Sequence, residues 1–167
     1  NQAVTSTSAR LSYFAGTTKM TLTGPRAIDT SGLALWKTYG IRISGVCIQE
    51  DSITQKSRLD IVIQDASGGM TVNKSGQGPI KVLRGRIYTV EGVLDQFNGK
   101  IQITTPPGFT NITVIDNGPG VLPKPRLITT ADLSFSKLGE DVENTLVQLQ
   151  HLRFTPGSNP WPVLGAT

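Results

Sequence analysis

Cys47 and His151 are the sole cysteine and histidine of the 167-residue chain, which bounds its chemistry at once. Nucleophilic catalysis needs a nucleophile, a base and an orienting group within hydrogen-bond reach of one another. Here the two residues fall on strand patterns in different parts of the chain, so no Cys/His or Ser/His/Asp constellation is expected. A tetrahedral zinc site, which needs several such ligands, is equally poorly supplied. A single cysteine also excludes an intrachain disulfide; within a strand pattern it reads as a small buried hydrophobe. Glu50, Asp51, Asp60 and Asp65 could approach one another across a hairpin and hold a hard cation. No loop spacing enforces that, and they read first as turn carboxylates, as does Asp116-Asn117-Gly118. The expectation is a non-catalytic chain with no cofactor and no metal.

The formal charge of +4 invites a nucleic-acid reading, but the cations are scattered from Arg10 to Arg153. Only Lys81, Arg84 and Arg86 stand close together. Single-strand binding by a β-barrel needs aromatic platforms in a basic groove, and the central stretch offers Tyr88 and Phe97. Phe97 has a counterpart in Phe14, which suits a core or hairpin-packing role. Nucleic acid or another polyanion is therefore the alternative partner, with Lys81, Arg84, Arg86, Tyr88 and Lys100 as its contacts. Two glycosylation sequons, at Asn73 and Asn111, would matter in an exported chain.

The elements that must position these residues are strands. High glycine and proline with few charged residues favour an all-β, turn-rich, exported type of chain. Leu59, Ile61 and Ile63 alternate with Asp60 and Gln64, while Val62 faces the other way. Asp65 to Gly69 supplies a turn, and Met70 to Val72 resumes the alternation. Ile87 to Leu94 and Lys100 to Thr104 flank Asn98-Gly99, a strong hairpin signal. Ile41 to Ile48 alternates with Gly45 at a bend, Ala34 to Tyr39 reads as a short helical turn or a loop packed on the core, and Thr130 as the cap of a short helix. No apolar run is long enough to span a membrane. No charged-then-apolar leader stands at Asn1, so an exported chain is expected to have lost it.

The ends echo the middle. Leu11, Phe14, Gly16 and Thr21 stand 83 residues before Leu94, Phe97, Gly99 and Thr104. Val147 to Phe154 repeats the order of Ile41 to Ile48, 106 residues later. An array of one β unit leaves such traces. Residues 1–40 then form an arm and the closing hairpin of one unit, and 41–144 a whole unit with an insertion at 105–138. Residues 145–167 hold the opening strand of another unit and a proline-rich tail.

Five strand patterns, at 41–49, 59–65, 70–73, 86–96 and 100–104, with glycines at bends, give an OB-like five-stranded barrel with flanking strands and hairpins from partial neighbouring repeats. Ile63-Gln64-Asp65-Ala66-Ser67-Gly68-Gly69-Met70, Tyr88 to Leu94 and Gly99 to Ile103 resemble the QD-x-(S/T)-GG and V-x-G-x-V … G-x-x-x-I patterns of OB-like modules in large secreted bacterial proteins. Gly139 to Val147 resembles the link that opens a following strand there. The resemblance implies an extracellular module, often beside nuclease or phosphoesterase domains, whose catalytic residues have no counterpart here. The function expected is a structural or assembly module that self-associates, or joins neighbouring repeats, head to tail by strand pairing and so forms a filament. Val147, Leu149, Leu152, Phe154, Trp161, Phe14 and Met20 would make that contact.

Overall fold

The computed structural model describes residues 27–49, 58–76, 80–133 and 142–150. Phe14, Met20, Leu152, Phe154, Trp161, His151 and the Glu50-Asp51 pair lie outside the described residues. The described residues form eight strands: β1 (Gly40–Gln49), β2 (Arg58–Gln64), β3 (Gly69–Ser75), β4 (Arg86–Phe97), β5 (Lys100–Thr104), β6 (Thr113–Pro119), β7 (Arg126–Ile128) and β8 (Val147–Leu149). The first five lie where alternation and turn chemistry place them.

The barrel closes in the order β1-β2-β3-β5-β4, with β4 returning to β1. β3 and β5 run parallel, through Thr71↔Gln102 and Val72↔Ile103; the other barrel pairings are antiparallel. This is the five-stranded OB arrangement. Inward residues alternate along each strand: Ile41 and Ile43, Leu59, Ile61 and Ile63, Met70 and Val72, Tyr88 and Val90, and Ile101 and Ile103 are all buried. Cys47 is buried among them, its Sγ donating to Gln49 O at 3.0 Å.

Glycines sit where backbones meet. At Gly92 a Cβ would collide with Ile103 Cγ2 and come within 2.6 Å of Thr104 O, so glycine lets β4 bend across β5. Gly45 lies against the Gln64 backbone in the same way, whereas the register slip between β1 and β2 falls at Cys47 to Gln49. Asn98 and Gly99 have φ of 51° and 83°, the left-handed pair that a two-residue hairpin requires.

Two expectations need correction. Asp116-Asn117-Gly118 is part of β6, not a turn, because Asn117 Nδ2 donates to Thr89 Oγ1 and Arg86 Nε to Asp116 across β4. The 3₁₀ turn at Thr130–Leu133 is held by Asp132, whose carboxylate accepts from Thr129 N and Oγ1, rather than by Thr130. The expected opening strand is present as β8, joined on one edge by β7 of the same chain in parallel through Arg126↔Val147 and Ile128↔Leu149.

Candidate functional site

Outward residues of β2 and β3 alternate with the core and face one another across the ladder: Val62 opposite Thr71, Gln64 opposite Gly69, and Asp60 opposite Asn73. In OB barrels this face and the adjoining loops are the usual place for a ligand. Here one end of it is covered by the chain itself. Thr71 Oγ1 donates to Asn144 Oδ1 at 2.8 Å, and Leu146 N donates to Gln64 Oε1 at 2.9 Å. A Cβ on Gly69 would fall on the Asn144 carbonyl, so glycine leaves the cavity into which this segment fits. Thr71 and Gln64 are buried under it, and Val62 on the same face is buried too, although all three point away from the core.

The covering segment is a tight turn. Thr145 N donates to Val142 O at 3.1 Å, its Oγ1 to the same oxygen at 2.6 Å, and Asn144 holds φ at 59°. Asn tolerates that conformation better than most residues. Leu146 O then accepts from Arg126 N at 2.9 Å, which leads into the β7–β8 pair. The burial of Val62 is the one local trace of this arrangement in the sequence; an apolar residue on the outer face of a strand asks for a cover. Gln64, Gly69, Thr71 and Asn144 were not among the expected site residues.

Of the expected polyanion contacts, Arg84 and Arg86 stand at one end of β4 and Lys100 at the other. Arg86 pairs with Asp116 at 2.8 Å, and Arg84 Nε donates to Ile48 O at 3.0 Å. Lys81 is exposed. Lys100 lies opposite Phe97 at the far end of β4 from Arg86, roughly 35 Å along the strand at about 3.3 Å per residue. Tyr88 must be withdrawn as a stacking platform: it is 2% exposed, and its hydroxyl accepts from Leu83 N at 3.0 Å. Phe97, expected to pack, is instead 62% exposed: it ends β4 on the opposite parity to the buried Tyr88, Val90 and Leu94. Of the sequons, Asn73 is half-buried and its Oδ1 accepts from Arg58 Nε at 3.3 Å, while Asn111 is exposed.

The Arg86 hydrogen bond, with help from Gly118 N, holds the Asp116 carboxyl below the usual carboxylate range, and Asp116 raises Arg86. A carboxyl depressed on folding stabilises above its unfolded pKa and loses that contribution as pH falls through the folded value. The pair is largely solvated, so the effect is small and salt-sensitive. In a carboxyl-resolved NMR titration Asp116 is expected to protonate below a free aspartate, and Arg86→Gln should return it towards the ordinary value; an unmoved midpoint would contradict the pairing.

Among the described residues no group of three or more His, Cys, Asp or Glu side chains is placed to hold a metal ion, and no helix is long and apolar enough to cross a membrane. Asp65 is engaged in its own turn, accepting from Ser67 N at 2.7 Å and Ser67 Oγ at 2.6 Å. No family model and no curated protein matches the sequence. Among solved structures, a chain of the S. pombe Stn1–Ten1 complex is similar over 53% of this chain and 69% of its own, with 14% identity and a TM-score of 0.38. The chain is an all-β protein built on an OB-type barrel, as its closed strand order shows.

Proposed function

We propose that this chain is a non-catalytic structural module of an exported array of OB-type barrels, serving to space and orient the units on either side. The observation that carries the reading is the turn Val142–Thr145 seated on the outer face of β2 and β3, where Gly69, Thr71 and Gln64 receive it. A barrel whose ligand face is filled by its own onward chain is suited to hold that chain at a fixed angle. β8 then leaves the barrel as the first strand of whatever follows, already paired to β7. The contact expected of Val147 and Leu149 becomes a connection along one chain, and assembly of separate chains into a filament is not needed to explain it.

A second reading keeps one observation of its own. Phe97 is exposed at the tip of the β4–β5 hairpin, opposite Lys100, and this loop is a contact loop in OB barrels. Titration of a fluorescent single-stranded oligonucleotide and of an acidic polysaccharide, at low and moderate salt, separates the two. The structural reading expects no salt-dependent binding, and no difference between the parent, Arg84→Gln/Arg86→Gln and Phe97→Ala. Saturable binding that weakens steeply with salt and disappears in either variant would replace it with a binding module.

A further inference from the structure

The turn that precedes β8 has a copy in front of β1. Thr145 N donates to Val142 O at 3.1 Å, and Tyr39 N donates to Trp36 O, also at 3.1 Å. Within these turns Asn144 has φ of 59° and Thr38 of 71°. Each equivalent pair is separated by the 106 residues that separate Val147 from Ile41. Positive φ is uncommon outside glycine; among the described residues only Thr38, Asn98 and Asn144 show it, and two of the three fall at the repeat spacing. The likeness of β1 and β8 therefore extends back into the backbone that introduces them.

Their surroundings differ. Val142 is 7% exposed, whereas its counterpart Trp36 is 39% exposed and Tyr39, Leu35 and Leu33 more so. One side of the entry turn is fixed on its own barrel, since Thr38 N donates to Leu94 O at 2.7 Å and Leu94 N to Tyr39 O at 3.0 Å. The other side carries apolar side chains into solvent. We infer that the turn Trp36–Tyr39 is a docking element that seats on the outer β2–β3 face of a preceding barrel of the same kind, as Val142–Thr145 seats on that face here. The partner is thus a second OB-type barrel with glycine at the place of Gly69, a carboxamide acceptor at that of Gln64 and a hydroxyl at that of Thr71. Thr38 would meet the hydroxyl through its own Oγ1, in the role of the Asn144 carboxamide, while Trp36 would become buried as Val142 is.

This rests on the array reading, and a swap within the full chain tests the two separately. Replacing residues Val142–Thr145 by the sequence of Trp36–Tyr39 should leave the Leu146 amide as protected from hydrogen exchange as in the parent. The same four residues in scrambled order should lose about tenfold or more in protection, the loss expected when one buried hydrogen bond is no longer held. An unprotected Leu146 amide in the parent itself would overturn both readings. Protection in the parent that vanishes in the swap would overturn the docking inference alone. Should the swap disturb the core amides of Ile61 and Val72, a tandem chain joining residue 141 of one copy to Trp36 of a second, with Trp36→Phe in the first copy and Trp161→Phe in the second, decides the matter against a single chain carrying Trp161→Phe. Trp36 at the junction should be shielded from acrylamide relative to the single chain; equal quenching would overturn the inference.

Discussion

A Gly92→Val chain should melt on the order of 10 °C below the parent, because forcing a side chain into packed backbone costs about 3 kcal/mol in a domain of this size. The new Cβ would overlap Ile103 Cγ2 and press on Thr104 O. Neither neighbour can yield cheaply. Ile103 is buried in the core and paired with Leu94, and Gly92 is itself paired with Ile41 on the opposite edge. Strain at this point is transmitted to the closure of the barrel, so the loss should be global and cooperative. Thermal unfolding followed by far-ultraviolet circular dichroism measures it, with Gly92→Ala expected between parent and Val variant. A melting temperature unchanged in both would mean that β4 does not cross β5 as described.

Gly69→Val should behave differently, although it too puts a side chain where backbone lies. Its Cβ would fall on the Asn144 carbonyl, but it points away from the core, so the barrel can remain while the covering turn is expelled. The Thr71 to Asn144 and Leu146 to Gln64 hydrogen bonds would be lost together, a cost of about 2 kcal/mol at the usual net value of such bonds. The Leu146 amide should then exchange about thirtyfold faster, with the β7–β8 pairing weakened and the amides of Ile61 and Val72 unaffected. If Leu146 kept its protection, the turn would not be held by that face. The contrast between a global loss at Gly92 and a local one at Gly69 separates the frame of the barrel from its cover.

The frame was legible in the sequence because it is written locally. Alternation in Leu59 to Gln64 and in Ile41 to Ile48, glycine at position 92 and Asn98-Gly99 each state a strand or a turn within a few residues. β6 was not legible, since Asp116-Asn117-Gly118-Pro119 has turn composition and becomes strand only because Arg86 and Thr89 of β4 hold Asp116 and Asn117 from about thirty residues away. The covered face was hidden for the same reason. Gln64 and Thr71 are ordinary outward polar residues until Leu146 and Asn144, 82 and 73 residues later, satisfy them. Tyr88 and Phe97 exchanged their expected places although parity along β4 shows both: Tyr88 lies in the core with Val90 and Leu94, and Phe97 has the opposite parity at the end of the strand.

The pairing of Gly40–Val46 with Ile87–Val93 also sets an order of events during folding. The β2–β3 and β4–β5 hairpins join residues that are near in sequence and can form early, whereas the barrel is shut only by contacts spanning most of its length. During synthesis β1 must therefore wait with one edge unsatisfied until β4 has emerged, and the rate of closure should fall slowly as the intervening loops are lengthened.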